Sequence, residues 1–257
     1  MTINFTKEDG VAKIVLNRPD VLNSMNKEMA MAFQDALKTC ENDPTIRAIF
    51  ITGEGRAFCA GQDLAEVTSV DGPTLNSIVR DHYNPIISQI RNIEKPVVCA
   101  VNGVAAGAGA NIALACDIVF AGTSASFIQA FSKIGLIPDS GGTFFLPRLI
   151  GFQRATALMM LGDKVKAADA LAMGMLYKVI DDDKLISESL ECAKLLARMP
   201  TKGLGYTKRA LNFSMFNNLD DQLDVEEDLQ TRAGNTYDYT EGVNAFLQKR
   251  SPSFKGE

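Results

Sequence analysis

Residues 97–115 read Val97-Val98-Cys99-Ala100-Val101-Asn102-Gly103-Val104-Ala105-Ala106-Gly107-Ala108-Gly109-Ala110-Asn111-Ile112-Ala113-Leu114-Ala115. An apolar run leads through a turn of small residues into an apolar, alanine-rich segment. The opening run has no polar alternation, which suits a strand covered on both faces. A helix beginning at the turn leaves its first amides without intrahelical acceptors, and its dipole adds partial positive charge there. The turn is therefore a natural cradle for a negatively charged oxygen. Glycine and alanine let a ligand approach that backbone closely. Tight packing of a helix against a strand would use the same residues. A dinucleotide fingerprint would need a glycine where Ile112 stands, and a P-loop would need a Gly-Lys-Ser/Thr ending; both are absent.

The same kind of apolar run recurs at 11–16, 48–52 and 118–121, and each reads as a strand. Between the first two, Met29, Phe33, Ala36, Leu37 and Cys40 recur at spacings of three and four, which predicts a helix over about 27–39 capped by Asn26 or Ser24. This is an α/β layout. From Asp183 onward strand signals vanish. Helices are expected at about 184–198, 202–215, 220–233 and 241–249, the third capped by Asp220 and the last by Thr240. The change of period divides the chain into an α/β core, 1–183, and a helical subdomain, 184–257.

Composition narrows the function classes. The 257 residues are 46% hydrophobic, as in an ordinary globular protein. A net charge of −5 gives no broad attraction for nucleic acid or anionic lipid. The five cysteines, Cys40, Cys59, Cys99, Cys116 and Cys192, are widely spaced and mostly flanked by apolar residues, as buried thiols of a reducing compartment would be. His82 is the only histidine and reads as a structural or surface residue, so a HExxH zinc site is excluded. The acidic runs at 181–183 and 226–228 read as a helix start and a solvated face, and no metal is expected. No apolar h-region opens the chain and no run reaches the ~18–20 residues of a membrane span. A cytoplasmic protein is expected, with neither nucleic acid nor membrane as partner.

Two more segments stand out. After the run at 48–52 comes Arg56-Ala57-Phe58-Cys59-Ala60-Gly61-Gln62-Asp63-Leu64, by itself only a loop. Gly135-Leu136-Ile137-Pro138-Asp139-Ser140-Gly141-Gly142-Thr143 sets one carboxylate in a sequence that equally suits a plain turn. Phe127, Phe131, Leu136, Ile137, Phe144 and Phe145 lie nearby in sequence. An apolar setting disfavours the charged form of a carboxyl, raises its pKa and makes it a better proton shuttle.

In content, order and spacing these three segments resemble the enoyl-CoA hydratase/isomerase (crotonase) superfamily, and the resemblance extends from Leu16-Asn17-Arg18-Pro19 to the ending at Lys249-Arg250. It implies an α/β spiral of ββα turns with a C-terminal helical trimerisation region, and a homotrimer or a homohexamer of two trimers. It implies an acyl-CoA substrate, with coenzyme A as part of that substrate and no other cofactor. The thioester oxygen would sit in an oxyanion hole made by the backbone amides of Gln62 and Ala108. Ala60, Gly61, Asp63, Leu64, Gly107, Phe131 and Lys249 would line the substrate and coenzyme site. Family hydratases activate water with two glutamates, whose motif positions here hold Asn111 and Phe131. Neither is a general base. Asp139 falls where members lacking those glutamates carry a catalytic aspartate. The run Phe131 to Asp139 is most similar to isomerases: the ring-1,2-epoxide isomerases of phenylacetyl-CoA degradation, which form an oxepin, and the Δ3,Δ2-enoyl-CoA isomerases. A 2-enoyl-CoA hydratase is the alternative enzyme, and a non-catalytic RNA-binding homologue is disfavoured by the acidic pI near 5.1 and the lack of a basic, aromatic-interleaved cluster.

Overall fold

The computed structural model describes residues 1–257. Its strands are β1 (Ile3–Glu8), β2 (Val11–Leu16), β3 (Ala48–Gly53), β4 (Ala57–Cys59), β5 (Val97–Val101), β6 (Val104–Ala106), β7 (Ile118–Gly122), β8 (Ser126–Ile128), β9 (Lys164–Lys166) and β10 (Lys178–Ile180). They form a six-stranded sheet in the order β1-β2-β3-β5-β7-β10 and a four-stranded one in the order β4-β6-β8-β9. Three successive pairs, β3–β4, β5–β6 and β7–β8, each place one strand in each sheet. Within each sheet these successive turns pair in parallel. The chain thus advances as a spiral, and the expected ββα turns are present.

The unbroken apolar character of β3 and β5 has a simple cause. Ile49, Ile51, Val97, Cys99 and Val101 enter the main core, with Phe33 and Ile112 from the helices Lys27–Asn42 and Ala108–Ala115. Ala48, Phe50, Val98 and Ala100 face the other way, into a second core completed by Leu185, Ala193 and Ala197 of the helix Leu185–Ala197. Alternate residues serve two different cores, and the one polar side chain in these strands, Thr52, is buried with its hydroxyl donating to the Ala100 carbonyl at 2.8 Å. The helix at 27–42 is capped as expected, with Asn26 accepting from the Met29 amide at 3.0 Å.

The last helices run Thr201–Ser214, Leu219–Gly234 and Tyr237–Leu247. Two caps differ from expectation. Asn218, not Asp220, accepts from the Asp221 amide at 3.0 Å, and Thr236, not Thr240, accepts from the Tyr239 amide at 3.1 Å. Each helix starts earlier because an equally competent capping side chain precedes the expected one. Asp220 then sits in the first turn, where its charge complements the dipole. No helix is long and apolar enough to cross a membrane.

Backbones of the two layers touch where the spiral carries glycine. A Cβ on Gly109 would collide with the Cys59 carbonyl and stand 2.8 Å from its sulfur. Gly109→Ala is expected to lower stability by about 1–3 kcal/mol, the usual range for overpacking, read as a fall in Tm. An unchanged Tm would show that the helix slides freely on β4.

Candidate active site

The loop after β4 and the start of the helix Ala108–Ala115 meet at Gly61. A Cβ there would lie 3.0 Å from the Ala106 carbonyl oxygen and 3.9 Å from the Ala108 nitrogen, and Gly61 itself has φ +94°. Only glycine combines that conformation with that approach. Gln62 is paired in parallel with Met25. The Met25 amide donates to the Gly61 carbonyl at 2.7 Å, and the Asp63 amide donates to the Met25 carbonyl at 2.9 Å. In a parallel bridge the central residue's own N–H points away from the partner, so the Gln62 amide is turned outward from Met25. The first intrahelical bond of 108–115 runs from the Asn111 amide to the Gly107 carbonyl at 3.2 Å. The amides of Ala108, Gly109 and Ala110 precede it and have no intrahelical acceptor.

A brace holds the 60–64 loop. Arg18 donates to the Asp63 carboxylate at 2.8 Å and to the Ser24 carbonyl at 2.6 Å, and Asp63 also caps the short helix Leu64–Val67 through the Ala65 amide at 3.0 Å. Burial pushes the Asp63 carboxyl up, but the Arg18 guanidinium and the cap amides outweigh it and hold it below its ordinary value. The Ala60 amide donates to the Leu22 carbonyl at 3.0 Å. Among the sequence-derived site residues, Asp63 and Ala60 are thus engaged in shaping the loop, while Leu64 is exposed.

Asp139 occupies the turn before the helix Gly142–Ile150. Its carbonyl accepts from the Gly142 amide at 2.9 Å, and Ser140 and Gly141 both have positive φ. Asn111, fully buried, donates through Nδ2 to the same carbonyl at 2.8 Å and accepts from Gln129 Nε2 at 2.8 Å. Asn111 therefore ties the Asp139 turn to the helix that begins at Ala108. Phe131 lies over the helix start: a Cβ on Gly107 would be 3.7 Å from its ring. Of the phenylalanines near Asp139 in sequence, Phe145 packs against the turn at Gly141, whereas Ile137 is 82% exposed. Burial raises the Asp139 carboxyl above its ordinary value, opposed by the Ser140 hydroxyl, which donates to Oδ1 at 2.8 Å.

Sequence reasoning missed Tyr83, whose hydroxyl donates to Gln62 Oε1 at 2.8 Å. It also missed Ile87, which with Phe145 abuts Gly141. Tyr83 ends a π-helical stretch, Ile78–Tyr83, and Ile87 follows it, where helical periodicity slips. His82 is buried in that stretch, and burial lowers its pKa. Lys249 follows the last helix, is exposed, and makes no ion pair with the other site residues. No three His, Cys, Asp or Glu side chains converge as metal ligands would.

One carboxyl of raised pKa thus lies in a turn that Asn111 ties to the helix beginning at Ala108. Residues 6–257 match the enoyl-CoA hydratase/isomerase family. The chain belongs to that family. It is 50% identical over 254 residues to 1,2-epoxyphenylacetyl-CoA isomerase of Escherichia coli strain K12, covering 97% of each chain. It is 36% identical to trans-2-decenoyl-[acyl-carrier-protein] isomerase of Streptococcus mutans, over 99% of this chain and 98% of that one. Among solved structures, an enoyl-CoA hydratase from Polaromonas sp. JS666 superposes with a TM-score of 0.91 at 35% identity, covering 98% and 99% of the two chains.

A base must be ionised to take a proton, so the acid limb of kcat should lie above the range of an exposed aspartate. Ser140→Ala removes a hydrogen bond that favours the carboxylate and should move that limb to higher pH. A limb that stays in place would mean that the titrating group is not Asp139.

Proposed function

We propose that the chain is an acyl-CoA isomerase in which Asp139 transfers a proton along the acyl group while the amides of Gln62 and Ala108 hold the thioester oxygen. The observation that carries this reading is the single half-buried carboxyl raised by burial, in a turn whose carbonyl accepts from Asn111, a side chain that has no basic group. For a 3-enoyl-CoA, Asp139 takes a proton from the carbon next to the thioester, and the electron pair delocalises onto the thioester oxygen as a dienolate. The same carboxyl returns the proton two carbons further on, and the double bond moves to the 2 position. One carboxyl suffices for that shift, whereas hydration is helped by a second group that manages water.

The likeness to the Escherichia coli isomerase supports ring-1,2-epoxyphenylacetyl-CoA as a substrate, rearranged to oxepin-CoA. Phe131, Gly107, Ala60, Gly61, Asp63 and Leu64 are assigned to the acyl-CoA site, and Lys249 to the coenzyme. Comparing kcat/KM for the phenylacetyl-CoA epoxide and a linear 3-enoyl-CoA separates the two substrate classes. Loss of conjugated absorbance from crotonyl-CoA would favour a hydratase instead.

Asp139→Asn should lower isomerisation of a 3-enoyl-CoA by at least ~100-fold while binding of the CoA ester persists. The sign for stability is opposite. A carboxyl whose folded pKa is raised favours the folded state least above that pKa, so the penalty is fully present only at pH values above it. The variant's Tm should therefore not fall. Near-normal turnover would overturn the assignment.

Residues 184–257 are proposed as the assembly region of a homotrimer or homohexamer. They leave Phe216, Leu219, Phe246 and Leu247 each at least 72% exposed on the isolated chain, more apolar surface than a lone helical face needs. Light scattering should give three or six times the 27.8 kDa chain mass, and Phe246→Glu should lower it. A wild-type mass of one chain would refute the assembly.

A further inference from the structure

The Gly61–Gln62 peptide is fixed at one end only by main-chain contacts. Its carbonyl is held by the Met25 amide at 2.7 Å and the following amide, that of Asp63, by the Met25 carbonyl at 2.9 Å, while Gly61 at positive φ brings no side chain to add to these contacts. The second fixed point is the Gln62 side chain. Its Oε1 accepts from Tyr83, and its Nε2 donates to Glu66 Oε2 at 3.3 Å. Glu66 in turn accepts from the Lys27 amide at 3.0 Å, at the start of the helix Lys27–Asn42.

Tyr83 is itself immobile. Its side chain is 1% exposed and closes the π-helical stretch, whose Asp81 and His82 carbonyls accept from Gln34 Nε2 at 2.8 and 3.1 Å. Gln34 belongs to the same helix that Glu66 contacts, so both ends of the Gln62 side chain are referred to one rigid element. Burial, then the neighbouring Cys59 and the Asp139 carboxylate, push the Tyr83 hydroxyl well above its ordinary pKa. It remains a neutral donor throughout the working pH range. Glutamine offers an acceptor and a donor at one terminus, which lets a single side chain be held from both sides.

We propose that Tyr83 is a positioning residue that, through the Gln62 side chain, aims the Gln62 main-chain amide at the thioester oxygen. This rests on the oxyanion role assigned to that amide. Tyr83 does not touch the acyl group in this scheme; its hydroxyl sets the direction of a donor whose value depends on alignment with the developing charge.

The test uses the full-length enzyme and 4-dimethylaminocinnamoyl-CoA, whose absorbance shifts to the red when its thioester carbonyl is polarised. Tyr83→Phe should diminish the red shift and lower kcat by about tenfold, with KM and probe affinity within twofold of wild type. Gln62→Met, which keeps the amide and removes both side-chain bonds, should have the same effect, and the double variant should be no worse than either. Asp139→Asn should retain the full shift while losing turnover. An unchanged shift in Tyr83→Phe, or additive losses in the double variant, would overturn the role of Tyr83. Should Tyr83→Phe be poorly folded, Gln62→Met tests the same link, because its main-chain amide and the Tyr83 ring both stay; a full red shift in that variant would overturn the role equally. Absence of any shift in the wild type would instead sink the oxyanion reading on which the proposal stands.

Discussion

Everything at the site depends on backbone meeting backbone between two layers of the spiral. The helix Ala108–Ala115 can reach β4 only because Gly109 presents no Cβ to the Cys59 carbonyl, and the 60–64 loop can reach the helix start only because Gly61 presents none to Ala106. Hydrophobic burial supplies the drive for that approach, through Ile112, Ala113 and Phe58 in the main core. It does not set the separation. The separation is set by which positions lack a side chain, and two amides that belong to distant parts of the sequence become neighbours as a result.

The same helix does a second job one turn later. Asn111 ends its first hydrogen-bonded turn, and its side chain reaches the Asp139 carbonyl, while Gly142 leaves room for that side chain. The Ala108 amide and the turn that carries the Asp139 carboxyl are thus referred to one short helix. Rigid reference matters because an electrostatic donor works by being aimed before charge develops, and a proton acceptor by lying within hydrogen-bond reach. Gln129 extends the clamp at a cost, since its Oε1 is buried without a partner.

The parts of this arrangement legible in the sequence are those with a period or a forbidden substitution. β3 and β5 were readable because 48–51 and 97–101 alternate between two cores. The second sheet was not: β4, β6, β8 and β9 are three residues each, too short to carry an alternation. Gly107 and Gly109 announced a close approach, but nothing in their neighbourhood named Cys59 or Phe131 as what they approach. Asp139 stood out as a carboxyl among phenylalanines, yet Ile137 is exposed and Ile87, remote in sequence, takes a place beside the turn. Tyr83 escaped because a π-helical insertion breaks the spacing by which its burial would be inferred.

The pairing of Asp139 with Ser140 is a compromise that the turn itself enforces. A deeper carboxyl would have a higher pKa and be largely protonated near neutrality, useless for taking a proton; an exposed one would be too weak a base to hold it. Ser140 lets burial proceed further than it otherwise could, because its hydroxyl partly offsets the desolvation of Oδ1. For that it must adopt φ +51° in a residue with a Cβ, a strained conformation sustained by its near-complete burial. Gly141 relieves the next step of the turn. Strain, burial and an off-normal pKa therefore coincide at three consecutive residues, the combination by which a functional carboxyl such as the one proposed here is recognised.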